Sequence, residues 1–240
     1  MKDGRGPVIV VPSEDDRPRW TALPREIDDT EQQLAFREEQ AAGDFEAWLA
    51  EATPDMFQDA SDECLVLHVP LDEGQGDEVR NRVGLGETFR AKGALQWDEG
   101  GKLGPAPHIT RQSTINLGDH GDFEIDQPFS FGAWIKAASQ GDHVAILARL
   151  DPKNGHRGWD LWQGGGALAV HLIEKWDASA IKVITKDQVV KAGQWQHVFV
   201  TYDGSQKPGG VKIFVNGDLA ATKAEKNTLA EGATIRTPVA

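Results

Sequence analysis

The sequence predicts an all-β fold from about Leu65 onward, an antiparallel sandwich or barrel, with one amphipathic helix ahead of it. Three observations predict it. Beyond Asp62 apolar residues alternate with a period of two in run after run, and Gly-, Asp- and Asn-rich turn signals separate the runs. No helix-length pattern lies between them, which argues against a parallel βαβ sheet. No fixed-period repeat appears either, which argues against a propeller.

The elements follow in chain order. Residues 1–23 are rich in Pro, Gly and charge and read as an irregular arm or the end of a neighbouring domain, with an isolated strand at most in Val8–Val11 before Pro12. Across 24–52 the period becomes helical. Ile27, Leu34, Ala41 and Trp48 form a seven-residue stripe that Phe45 and Leu49 widen. Pro24 suits a first helical turn, Glu26, Asp28 and Asp29 complement the helix dipole, and Pro54 closes the element. The second seam of a coiled coil would hold Thr30, Arg37 and Asp44. One linker helix that lays its stripe on the sandwich or on a neighbouring domain is therefore expected.

The β region spans 63–240. Leu65, Leu67, Val69 and Leu71 point one way, Val66 and His68 the other. The alternation returns in Phe129, Phe131, Ala133 and Ile135, then in Val144, Ile146 and Ala148. It recurs in Val198, Val200 and Tyr202, and in Val211, Ile213 and Val215. Turns are expected at Asp72-Glu73-Gly74, Gly118-Asp119, Gly141-Asp142, Gly164-Gly165-Gly166, Asp203-Gly204 and Asn216-Gly217.

Composition narrows the function. The net charge of -13, from 38 acidic against 25 basic residues, repels phosphate backbones and weighs against nucleic acid and anionic membranes as partners. No apolar run is long enough to span a bilayer, and no apolar stretch follows Met1 as in a signal peptide. The single cysteine, Cys64, excludes an intrachain disulfide, a CxxC zinc pair and a CxxCH haem site. It reads as a small buried hydrophobe opening a strand.

Four motifs together carry a family resemblance. Leu65 to Gly76 resembles the opening strand and turn of the laminin-G-like jelly rolls, within the concanavalin A-like lectin/glucanase group. Phe129-Ser130-Phe131-Gly132-Ala133-Trp134-Ile135-Lys136 is similar to that family's strand of the form FTISAWVK. Gly193 to Gly204 is similar to its WHHVAVTYDG strand, and Val211 to Gly217 to its VKLYVNG strand. The resemblance implies a two-sheet antiparallel jelly-roll sandwich. It also implies a further strand or pair after Ala233–Ala240, so the last strand or strands are expected to be missing or supplied from elsewhere. The segment Arg25–Ala50 resembles the stretch before this jelly roll in large planctomycete proteins that carry a cytochrome-c-like domain. That likeness implies an internal piece of a multidomain chain, with neighbouring domains as partners and an extracytoplasmic compartment, periplasmic or cell surface. The haem motif is absent, so no redox role carries over to these residues.

The enzyme signal is Glu124-Ile125-Asp126. Retaining glucanases of this fold use an ExDxxE strand, whose two glutamates act as nucleophile and acid/base about 5 Å apart. Here the second glutamate position is Phe129, so the pair is incomplete. No GxSxG elbow occurs, and the histidines at 68, 108, 120, 143, 156, 171 and 197 lack HExxH or other ligand spacing. A non-catalytic module is the expectation, with a glycosidase as the lesser reading.

No cofactor is expected apart from Ca²⁺, which relatives of this fold hold at loop carboxylates and backbone carbonyls. Asp119, Asp122 and Glu124, and the pair Asp72 and Glu73, offer hard oxygen ligands, though no spacing matches a dedicated calcium loop.

Eight tryptophans point to recognition. Trp159 and Trp162 flank Asp160-Leu161 and lie three apart, hence on opposite faces of a regular strand, so at most one belongs to a core. Trp176 follows His171 at the end of the next strand. Exposed indoles stack on sugar rings, and Asp160 and His171, with Gln163, offer hydrogen bonds. Trp159, Asp160, Trp162, His171 and Trp176 are thus the candidate ligand-binding residues, and polysaccharide the candidate partner. Trp134 and Trp195 lie inside the family's strand motifs, where a structural role is the default. The competing reading is a spacer domain that organises neighbours in a longer chain.

Overall fold

The computed structural model describes residues 13–51, 62–84 and 86–237; the expected strand at Val8–Val11, the helix stop at Pro54 and the last residues, 238–240, lie outside the described residues. The chain divides into two compact units, Met1–Cys64 and Leu65–Ala240. No described helix is long and apolar enough to cross a membrane.

The first unit contains helix α1 (Arg17–Glu51) and a short 3-10 turn at Asp62–Cys64. The helix starts ahead of Pro24, so residues 17–23, expected in an irregular arm, are helical. Ser13 sets this start: its hydroxyl accepts from the Asp16 N–H at 3.3 Å and donates to the Asp16 carboxylate at 2.5 Å. Pro24 is thus an interior proline, which lacks an N–H and crowds the carbonyl four residues back. Along the expected stripe, Ile27, Leu34, Phe45 and Trp48 are exposed, and the Phe45 and Trp48 rings stack at 5.7 Å. Cys64 is exposed in the 3-10 turn, not the buried hydrophobe expected.

The second unit is built of strands. β1 (Glu78–Arg80), β2 (Thr88–Lys92), β3 (Gln96–Asp98), β4 (Ala106–His108) and β5 (Thr114–Ile115) form two small sheets, β1-β2-β5 and β3-β4. The main strands are β6 (Phe129–Lys136), β7 (His143–Asp151), β8 (Arg157–Gly164), β9 (Ala167–Lys175), β10 (Ser179–Thr185), β11 (Trp195–Tyr202), β12 (Val211–Val215), β13 (Asp218–Leu219) and β14 (Thr222–Asn227). They form a five-stranded sheet, β14-β10-β9-β8-β7, and a four-stranded sheet, β13-β12-β11-β6, with antiparallel pairing throughout.

The inner faces of these two sheets share one core, which makes the unit a two-layer sandwich. Phe129, Val198, Val200, Tyr202, Val211 and Ile213 come from the four-stranded sheet, and Leu161, Leu168, Val170, Leu172, Ile181 and Val183 from the other. Burying an aliphatic side chain of this kind contributes about 1.5–3 kcal/mol, so the period-two runs fix which face turns inward. Two hairpins close on I′-type turns that need positive φ at both central residues. Gly165 and Gly166 (φ 57° and 83°) join β8 to β9, and Asn216 and Gly217 (φ 54° and 89°) join β12 to β13.

The first apolar run, Leu65–Leu71, does not form the expected strand. Leu67, Val69 and Leu71 keep the alternation and pack on a second small core of Val79, Phe89, Ala91 and Leu95. Ladder pairing fails for local reasons. Pro70 has no N–H, Leu71 takes a left-handed φ of 59°, and the His68 N–H goes to the Asn81 side chain at 3.0 Å.

Candidate functional site

Strands β8 and β9 decide which of the candidate residues can meet a ligand. Trp159 and Leu161 point into the core, and Asp160 and Trp162 point out. Trp159 is only 8% exposed. Its indole lies 4.4 Å from Phe131, and its Nε1–H donates to the Gly121 carbonyl at 2.8 Å. It is a core residue, and the candidate surface loses it.

The remaining four share the outer side of the five-stranded sheet. The register places Asp160 opposite His171 and Trp162 opposite Ala169. Asp160 Oδ1 and His171 Nδ1 lie 2.5 Å apart, both residues buried. Asp160 Oδ2 and His171 Nε2 make no hydrogen bond among the described residues, so each retains capacity for a ligand. Trp176, in the β9–β10 turn, meets His171 edge-on at 5.2 Å, and its backbone N–H donates to the Gly155 carbonyl at 2.7 Å. Lys226 lies 5.0 Å from the Trp176 ring centre and pairs with Asp177.

Trp162 is half-buried and runs along its own strand over Gly164, where an added Cβ would come 3.2 Å from the indole Nε1. The His143 ring comes within 3.1 Å of the same point, so Gly164 leaves room for both side chains. Across β7, Ala145 and Ala148 stand opposite Trp162 and Asp160 and are exposed. The result is an indole beside a shallow alanine trough, with the Asp160–His171 pair next along it. Gln163, by contrast, is buried and donates to the Ser139 carbonyl at 2.7 Å.

The acidic loop considered for Ca²⁺ is occupied by protein groups. Buried Arg149 reaches Asp119 at 2.6 Å, the His120 carbonyl at 3.1 Å and the Thr237 carbonyl at 3.1 Å. Asp122 accepts the Thr237 N–H at 2.8 Å. Glu124 accepts from the Ile125 N–H, the Thr234 hydroxyl and the Ile235 N–H. Burial pushes the Glu124 pKa up, but these hydrogen bonds and the nearby Arg236 charge outweigh it and hold the carboxyl below its ordinary value. A guanidinium and a strap of C-terminal backbone stand where a cation would need open oxygens. Among the described residues no three His, Cys, Asp or Glu side chains converge as a metal site. Phe129, the position of the missing second glutamate, is in the core and stacks on Phe123 at 4.3 Å.

Sequence reasoning missed a second aromatic surface. Trp134 is 40% exposed, and the register sets it opposite His197 on the outer side of the four-stranded sheet. The signal was available: Phe129, Phe131 and Ile135 are the inward parity of β6, so Trp134 has to face out.

No curated protein matches this chain. Among solved structures, the binding domain of Paraclostridial Mosquitocidal Protein 1 is similar over 72% of this chain and 42% of its own, at 16% identity and a TM-score of 0.54. The binding domain of botulinum neurotoxin DC, solved with rat synaptotagmin II, covers 72% and 44% at 16% identity and a TM-score of 0.44. This chain spans less than half the length of either, and at such identity the first likeness is one of fold alone. The sequence pattern of the concanavalin A-like lectin/glucanases superfamily matches residues 110–236, more than half of the chain and all of both large sheets. The chain belongs to the concanavalin A-like lectin/glucanases superfamily.

Proposed function

We propose that the sandwich is a non-catalytic recognition module that binds polysaccharide on the outer face of its five-stranded sheet. The observation that carries this reading is Trp162, half-buried close to Gly164, beside exposed Ala145 and Ala148 and next to the Asp160–His171 pair. A flat indole gives a sugar ring an apolar face to stack on, and the unpaired Asp160 and His171 atoms supply directional hydrogen bonds to hydroxyls. Trp176 limits the site at its other end.

One carboxylate of this sheet is not tuned as a general acid. A glycosidase needs two carboxyls facing one bond, one of them with a raised pKa. Glu225, on the neighbouring β14, is instead held below its ordinary value by the hydrogen bond from Lys182, aided by Lys223. That direction is opposite to the one a general acid requires.

Titration of the folded chain against a panel of neutral and sulfated polysaccharides, followed by tryptophan fluorescence, tests the reading. Saturable binding of at least one glycan, weakened by Trp162→Ala, supports it. Silence across the panel contradicts it.

A further inference from the structure

We propose a second ligand site, on the outer face of the four-stranded sheet, that takes a sugar ring bearing a negative charge. It does not depend on the reading of the five-stranded sheet. An open cleft of about 470 Å³ there is lined by Lys102, Trp134, Trp195, His197, Asn216 and Gly217.

The strand parity builds it. Val198, Val200 and Tyr202 of β11 face the core, so Trp195 and His197 face out, opposite Lys136 and Trp134 of β6. His197 is wedged between the Trp134 ring at 5.2 Å and the Phe199 ring at 6.0 Å. Asn216, in the positive-φ turn, accepts the His197 N–H at 2.9 Å through Oδ1. Its amide nitrogen makes no hydrogen bond among the described residues and is left as a donor. The Trp195 Nε1–H reaches the Gly100 carbonyl only at 3.5 Å, so it too can turn to a ligand. Two indoles thus border a floor with polar atoms to spare.

Charge selects the ligand. The chain carries -13, yet no carboxylate lines this cleft, and its one permanent charge is Lys102. Lys136 adds a second cation beside Trp195. Neither lysine is in an ion pair among the described residues. The Lys102 ammonium sits 4.8 Å from the Trp134 ring centre. That attraction is weaker at an exposed site than a charge-assisted hydrogen bond, so an arriving anion draws the ammonium away and uncovers the ring. A pyranose with a carboxylate or a sulfate fits both demands: ring face to indole, anion to lysine. If the indoles served only to cover edge strand β6, Lys102 could be replaced without consequence.

The test is calorimetric titration of the whole chain with oligogalacturonate, a sulfated galactan oligosaccharide and an uncharged galactan oligosaccharide. At least one anionic chain should bind, more weakly as salt is raised, and tenfold or more tighter than the uncharged one. Which anionic chain binds identifies the group as carboxylate or sulfate. Lys102→Gln, an exposed loop change that leaves the core intact, and Trp134→Ala should each weaken it at least tenfold, and Trp162→Ala should not. Unchanged affinity in Lys102→Gln, equal affinity for charged and uncharged chains, or no binding of either anionic chain would each overturn the proposal. Loss confined to Trp162→Ala would overturn it and leave the first site standing.

Discussion

Glu124 accepts hydrogen bonds from Thr234 and Ile235, which stand 110 and 111 residues further along the chain. In sequence it reads as a fragment of a glucanase strand. In the fold it ties the stretch Ala233–Thr237 to the loop before β6. That role is illegible in the sequence because no local pattern pairs a carboxylate with backbone so distant. Phe129 is the opposite case, since its inward parity places it in the core directly. The folded state lowers the Glu124 pKa from its ordinary value of 4.5, so its contribution is fully present above about pH 4.5. It fades as pH falls through the lower folded value. Urea unfolding should therefore show Glu124→Ala less stable by about 1–3 kcal/mol at neutral pH, with the difference shrinking in acid. An undiminished difference well below pH 4 would mean that the charge is not what matters.

At the scale of elements, the central strands of the four-stranded sheet were legible and the helix start was not. Parity gives β6, β11 and β12 their inward faces from sequence alone, and the separation of three between Trp159 and Trp162 correctly sends them to opposite sides. Which side is core needs the partner sheet, so the sequence alone leaves both Trp159 and Trp162 as ligand candidates. Pro24 reads as a helix start because proline suits the first turn, yet Ser13 and Asp16 nucleate α1 earlier. An interior proline costs a helix about 3 kcal/mol relative to alanine. Pro24→Ala should deepen the helical circular dichroism signal and slow amide exchange around Trp20–Asp28. Unchanged exchange there would show that the proline is not a weak point. The run Leu65–Leu71 failed as a strand through Pro70 and the left-handed Leu71, a backbone effect that alternation cannot report.

For the molecule as a whole, the fold follows from repeated local choices, and the sites follow from what those choices leave outside. Each large sheet turns one parity into a common core and presents the other, with the Trp162 indole close to Gly164 on one side and two indoles bordering a lysine on the other. Against a net charge of -13, the basic cleft at Lys102 stands apart. The central claim, that the five-stranded sheet binds glycan without cleaving it, is tested most directly by one comparison. Wild type and Trp162→Ala are titrated with the best-binding neutral polysaccharide of the panel while reducing ends are counted in the same samples. Loss of an aromatic anchor of this kind costs about 2 kcal/mol or more, so affinity should fall by at least about tenfold in the variant. Reducing ends should stay constant in both. Equal affinity of the two proteins, or reducing ends that accumulate with wild type, would contradict it.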